Sequence, residues 1–347
     1  MSPKNLNIAV IGTGIFANDA HLPTFNKIPY LTPIACYNRT KAKAETFAER
    51  ANIDKSKVYD SLEKAFEDKE VDFVDALLPV QFNLDVVKLA VKHNKPLALE
   101  KPVAANLTQA AEIVKIAEST DLPIGILENW AFYNAVGALQ DQLPKIGDVT
   151  AFTYKSTGPW NTNNKYLATT WRQKPEHVGG FLSDGGVHQM TLLTEVLGSV
   201  ETISANTVQL REESGDQDTL FSTIKLQSGA IGTFVYGSAF GASEKKLEFA
   251  IYGKNGSLVY TLAPAEGKPS LVIRIGKDGN SGESQTIAVE EGDSYEKEFV
   301  NFADAVTAND KSVIAISPRK AFHHLAIVDA ALKSSKDNGA SVTIQNP

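Results

Sequence analysis

Three ionisable side chains stand out for the chemistry they could share. Asp184 and His188 lie four residues apart in the glycine-flanked stretch GGFLSDGGVHQM, which runs from Gly179 to Met190. Lys101 sits between Glu100 and Pro102 at the end of an apolar run. On a helix, a four-residue spacing brings Asp184 and His188 to one face. An imidazole titrates near neutrality and can give or take a proton. An ammonium can polarise an oxygen on which negative charge develops, and a carboxylate can bind a hydroxyl or orient its neighbours. The set suits interconversion of an alcohol and a carbonyl, with Lys101, Asp184 and His188 as the catalytic candidates. Other readings stay open: Asp184 as a helix N-cap, and Lys101 as a surface charge. An Asp/His metal pair would need further ligands, and His21, His93, His177, His323 and His324 form no matching motif, so no metal is expected.

Such groups need a hydride carrier, and the first third of the chain has the pattern of a scaffold for one. Apolar runs at 6–12, 31–38, 71–79, 95–102 and 122–128 alternate with amphipathic stretches such as KAKAETFAERA and NLTQAAEIVKIAEST. This βαβα rhythm predicts an α/β domain with a doubly wound parallel sheet. Directly after the first run stands Gly12-Thr13-Gly14-Ile15-Phe16-Ala17. Gly12 permits a tight turn, Gly14 lets backbone amides approach a pyrophosphate, and Ala17 keeps the helix close to the sheet. In this position the pattern predicts a dinucleotide site. An NAD site usually carries a carboxylate about 20 residues further on. Here Asn38 and Arg39 stand in that place, with Lys43 nearby. Asn38 does not repel a ribose 2′-phosphate, whereas Arg39 can bind it and stack on the adenine. NADP(H) is therefore expected in preference to NAD(H), against the alternative that Arg39 is a solvated loop charge.

Past residue 127 the rhythm changes. A helical segment, 129–143, leads into alternating runs at 149–157, 201–212, 219–237, 246–262 and 270–289. Ser-Gly, Asn-Gly and Asp-Gly pairs within them are hairpin signals. A last helix is expected over 318–336, with Gly339 near its end. The expected architecture is a dinucleotide-binding domain, 1–127, followed by an α+β substrate and oligomerisation domain, 128–347, with a large, mostly antiparallel open sheet. The last helix has the option of packing back on the first domain. A chain of 347 residues exceeds what one core usually holds. The net charge of −7 has no basic stripe, which speaks against nucleic acid. No run of about 18 apolar residues suggests a membrane span, and the N-terminus has no apolar signal region. A single cysteine, Cys36, precludes an internal disulfide and fits a reducing, cytoplasmic setting.

The glycine motif, then Glu100-Lys101-Pro102, then Gly179-Gly180 with Asp184-Gly185-Gly186-Val187-His188, follow one another in an order that resembles the glucose-fructose oxidoreductase/inositol dehydrogenase/rhizopine catabolism protein (Gfo/Idh/MocA) family. The resemblance spans nearly the whole chain. It implies a Rossmann domain followed by an α/β domain whose open sheet makes a homo-oligomer, a dimer or tetramer. The implied activity is pyridine-nucleotide oxidation or reduction of a carbinol/carbonyl pair, commonly on sugars or cyclitols. It also implies catalytic roles for Lys101, Asp184 and His188. The cofactor-binding set expected from motif and resemblance is Gly12, Thr13, Gly14, Ile15, Phe16, Ala17, Asn38, Arg39, Lys43, Pro79, Glu100, Lys101 and Arg172. The sequence departs from the family at two places. Of a Thr-Pro-Asn…His pattern carried by several members, Pro79 alone remains in LLPVQFNLD, and Trp130 and Phe132 stand where an arginine is frequent. Trp160, Asn161 and Tyr166 lie in a polar and aromatic segment suited to a polyhydroxy ligand or to an ordinary surface loop. A nucleotide-sensing regulator on the same fold, without chemistry, is the alternative to an enzyme.

Overall fold

The computed structural model describes residues 4–163, 165, 174–263, 267–278 and 282–347. The chain forms two compact units: Met1–Phe132 with Asp293–Phe322, and Tyr133–Gly292 with His323–Asn346; Pro347 groups with the first.

In the first unit, β1 (Leu6–Ile11), β2 (Leu31–Tyr37), β3 (Val58–Tyr59), β4 (Phe73–Ala76), β5 (Leu97–Glu100) and β6 (Ile124–Leu127) form one sheet. Its order is β3-β2-β1-β4-β5-β6, and every pairing is parallel. β4 is buried at all four positions, the near-continuous apolar pattern of a strand covered on both faces. The strand order reverses between β1 and β4, the place where doubly wound sheets bind ligands beyond their carboxyl ends. The expected strands are present but shorter. β3, two residues long, is an addition that no alternation could announce. The helical stretch 15–25 after the glycine turn contains a π-helical turn, Ala17–His21, before α1 (Leu22–Phe25). Next come α2 (Lys41–Ala51), α3 (Leu62–Glu67), α4 (Asn83–Lys92) and α5 (Leu107–Glu118). The Asn106 side chain caps α5 by accepting from the Gln109 amide at 3.0 Å.

In the second unit, α6 (Asn134–Ile146) and α7 (Gly180–Leu197) accompany a nine-stranded sheet. Its strands are β7 (Val149–Pro159), β8 (Val200–Val208), β9 (Thr219–Leu226), β10 (Ile231–Phe240), β11 (Lys246–Gly253), β12 (Gly256–Leu262), β13 (Ser270–Ile275), β14 (Glu283–Ala288) and β15 (Val342–Thr343). The order is β14-β13-β12-β11-β7-β10-β9-β8-β15. Among the described residues β7 and β10 pair in parallel and the other neighbours are antiparallel. Alternation is clear on β9, where Leu220, Ser222, Ile224 and Leu226 point inward and Phe221, Thr223 and Lys225 outward. α6 packs on β12 and β13, and α7 on β9 and β10.

Two further helices complete the chain, α8 (Ser294–Ala308) and α9 (Pro318–Lys336). α8 had no counterpart among the sequence expectations, and it contributes Phe299, Phe302 and Ala303 to the core of the first unit. α9 falls where expected.

Candidate active site

The expected cofactor residues of the first unit stand at the carboxyl ends of its parallel strands. Gly12 follows β1 at φ +92°, outside what L side chains readily adopt, and a Cβ there would overlap the Leu77 carbonyl oxygen. The turn is held by Gly12 N donating to Tyr37 O and Leu77 N donating to Ile11 O, both at 2.8 Å. Gly14 differs, since a Cβ there would meet no protein atom within 4 Å. The fold itself therefore does not require glycine at that place, whereas a phosphate approaching the backbone would. Asn18 donates from Nδ2 to Gly14 O at 2.8 Å and to Thr13 O at 3.3 Å, so the turn's carbonyls are tied back to the helix. Arg50 in turn donates to Asn18 Oδ1 at 2.6 Å. Thr13 Oγ1 is buried with no hydrogen-bond partner, a hydroxyl that costs free energy unless a ligand satisfies it. The orphaned hydroxyl, the left-handed glycine and the open backbone at Gly14 fit the pyrophosphate of a dinucleotide.

Ile15 is exposed, Phe16 half-buried and Ala17 buried. Beyond β2, Asn38 accepts from the Thr40 amide at 2.9 Å, while Arg39 and Lys43 are exposed. Pro79 caps the short 3₁₀ turn Val80–Phe82 after β4. Glu100 ends β5, and the Lys101–Pro102 peptide that follows is cis. Asn83, which matches nothing in the family pattern, has a role the sequence did not disclose. It is buried, and its Nδ2 lies 3.0 Å from Pro102 O, 3.3 Å from Val103 O and 3.5 Å from Glu100 O, clamping the turn that bears Lys101.

In the second unit, α7 starts at Gly180 with Gly179 as its N-cap at φ +73°. Asp184 therefore lies inside the helix, and the N-cap reading of this residue is not what the structure shows. Asp184 and His188 share one face, and both are half-buried. The buried Tyr236 on β10 crosses this helix, and a Cβ at Gly185 would overlap its hydroxyl. The glycine thus admits the phenol ring beside Asp184. Burial, and after it the Asp184 carboxylate, push the Tyr236 phenol above its ordinary range. Tyr236 went unnoticed in the sequence because only the sheet-to-helix crossing places it there.

The remaining histidines are engaged elsewhere. His323 accepts from the Val200 amide at 3.0 Å, and His324 lies between the Thr191 and Thr194 hydroxyls at 3.0 and 2.9 Å. Among the described residues the group with three potential metal ligands in reach of one another is Glu63, Glu67 and His93, where Lys92 already pairs with Glu63. Trp160 donates its backbone N–H to Phe240 O, and the Asn161 side chain accepts from the Asn163 amide in a local turn. Trp130 and Phe132 are half-buried. Arg172 and Tyr166 lie outside the described residues.

The parallel sheet carries a glycine turn at its switch point, and a separate mixed sheet carries the helix of Asp184 and His188. Residues 6–126 match the oxidoreductase family's NAD-binding Rossmann fold, and residues 142–344 match its C-terminal alpha/beta domain. The chain belongs to the Gfo/Idh/MocA family of oxidoreductases. It is 51% identical over 352 residues to the uncharacterized protein YMR315W of Saccharomyces cerevisiae, covering 100% of both chains. It is 27% identical to dehydrogenase FPY6 of Fusarium mangiferae, over 96% of this chain and 98% of that one. An oxidoreductase structure from Thermotoga maritima superposes with a TM-score of 0.87 at 28% identity, over 98% of this chain and 99% of the other.

Proposed function

We propose that the protein is an NADP(H)-dependent oxidoreductase acting on a small carbonyl/alcohol pair, a sugar, cyclitol or related compound. The single observation that carries this reading is the joint presence of Lys101 on a clamped turn and of Asp184 with His188 on one helix face, in a chain that also has the dinucleotide turn. A pure sensor would need only the last of these. A bound nicotinamide supplies or accepts the hydride. Lys101 polarises the substrate oxygen as charge builds on it. His188 donates the proton in reduction and accepts it in oxidation, and Asp184 binds a substrate hydroxyl and orients His188. Gly12, Thr13, Gly14, Ile15, Phe16 and Ala17 would hold the pyrophosphate, and Pro79, Glu100 and Arg172 would be further cofactor contacts. The test is a panel of aldehydes, keto-sugars and polyols followed at the NADPH absorbance; nucleotide binding with no turnover across the panel would favour the sensor.

The preference for NADP(H) rests on Arg39, exposed at the end of β2, with Lys43 one helical turn on and no carboxylate at Asn38. Arg39→Asp should shift the ratio of kcat/KM for NADP(H) over NAD(H) by about 100-fold or more toward NAD(H), since a charge-assisted phosphate contact becomes a repulsion. An unchanged ratio in steady-state kinetics would reject the assignment.

Self-association is assigned to the outward face of the nine-stranded sheet. Phe221, Ile231 and Tyr252 are each more than two-fifths exposed there, apolar side chains that a second copy of the chain would cover. Phe221→Lys with Ile231→Lys should lower the mass read by light scattering; an unchanged mass would place the interface elsewhere.

A further inference from the structure

Beneath the strand ends of the first unit lies a fully buried imidazole that the proposed chemistry does not use. His21 closes the π-helical turn after the glycine motif, the kind of local irregularity that often re-aims a side chain at a functional site. Its Nδ1 is 2.8 Å from Asp75 Oδ2 on β4, and its Nε2 is 3.1 Å from Glu100 Oε1 at the end of β5. Carboxylates can only accept, so a ring bonded to two of them donates from both nitrogens as the imidazolium; burial pushes the Asp75 carboxyl up, and the His21 charge beside it draws it partly back down. Burial opposes that charge, but the adjacent Asp75 carboxylate and the hydrogen bonds to Asp75 and Glu100 outweigh it and raise the His21 pKa to about 10. The rings of Phe16, Phe25 and Phe299 stand edge-on around it at 5.1, 6.2 and 5.0 Å.

Two more acids belong to this neighbourhood. Glu298 from α8 and Glu128 beyond β6 are both buried. Burial, and then the Glu100 carboxylate, push the Glu298 carboxyl well above its ordinary range. The carboxyl groups bonded to His21 itself are those of Asp75 and Glu100. A buried ion network of this kind holds geometry more than it adds net stability, because loss of one member strands the others.

We propose that His21 is a positioning residue for Lys101: tied to Asp75 and Glu100, it fixes the strand end from which Lys101 projects and holds it in register with the glycine turn. Asn83 clamps the same turn from its carbonyl side, so the two constraints are complementary. Glutamine at position 21 can donate but carries no charge and cannot neutralise two carboxylates. The inference rests on the catalytic reading of Lys101 given above, and its test separates the two.

The experiment compares the full-length protein with His21→Gln, Lys101→Ala and the double variant. Amide exchange by mass spectrometry over residues 97–105 needs no substrate. Exchange at least about tenfold faster there in His21→Gln, with β2 unchanged, is expected from a local release. Equal exchange, or acceleration spread evenly over the sheet, would overturn the proposal. Turnover is read with D-glucose and myo-inositol as probes, and NADPH affinity by fluorescence. His21→Gln should lower kcat at least about tenfold with NADPH affinity within about threefold, and it should add no loss to Lys101→Ala, as for residues acting through one group. Additive losses, or a loss in nucleotide affinity alone, would overturn it. Wild-type turnover retained in Lys101→Ala would count against the catalytic reading instead.

Discussion

Replacing Lys101 with alanine should lower turnover about 10³-fold while NADPH affinity falls less than about tenfold. The expected asymmetry follows from where charge appears. On the reading proposed above, the phosphates would meet the glycine turn in either form of the enzyme, so most of the binding free energy is indifferent to the ammonium. The substrate oxygen gains charge only on the way to the transition state, and a cation aimed there acts on kcat. The turn that carries Lys101 is braced by the Asn83 amide from one side and by the Glu100–His21 contact from the other, so the backbone from which its side chain projects is fixed. Steady-state kinetics and a fluorescence titration check both halves. Equal loss in affinity and turnover would make Lys101 a cofactor contact only.

Gly12→Ala is the second large effect, and it acts through the backbone. The residue would have to adopt φ near +92° with its Cβ driven into the Leu77 carbonyl oxygen. The left-handed conformation costs about 1–2 kcal/mol and the overlap about 1–3 kcal/mol more. Neither neighbour can give way cheaply, because Gly12 N and Leu77 N both bond to strand carbonyls. The expected outcome is a fall in Tm of several degrees, about 2–4 °C per kcal/mol, and a loss of NADPH affinity of about 30-fold or more as the turn shifts. Thermal melts and a nucleotide titration measure these, and a variant that binds NADPH as tightly as the wild type would show that the turn does not set the site.

The parallel strands were legible because each is a short apolar run bounded by turn residues, and the mixed sheet because glycine pairs mark its hairpins. Val58–Tyr59 was not legible, since two residues carry no period. α8 had a readable signal in Asp293, whose side chain accepts from the Glu296 amide at 3.1 Å, a Asp-x-x-Glu opening followed by Phe299, Phe302 and Ala303 at helical spacing. It lay hidden behind a run of β sequence and the expectation of a domain continuous in the chain. At the site, the tight turn at Gly12 and the common helix face of Asp184 and His188 followed from their spacing. His21, Asn83 and Tyr236 could not, because each acquires its partners from another element of the fold: Asn83 from the turn 17 to 20 positions on, Tyr236 from the helix of Asp184, and His21 from Asp75 and Glu100, 54 and 79 positions on.

The placement of α8 also bears on how the chain comes off the ribosome. Phe299 and Phe302 belong to the same core as Phe25, Phe47 and Phe73, and a fully buried phenylalanine is worth about 1.5–3 kcal/mol. The nucleotide-binding unit takes part of its core from residues that follow the whole nine-stranded sheet except β15 in the chain. A chain that has not yet reached residues 294–308 lacks Phe299 and Phe302 against this sheet, so folding of the unit lags behind synthesis of its strands.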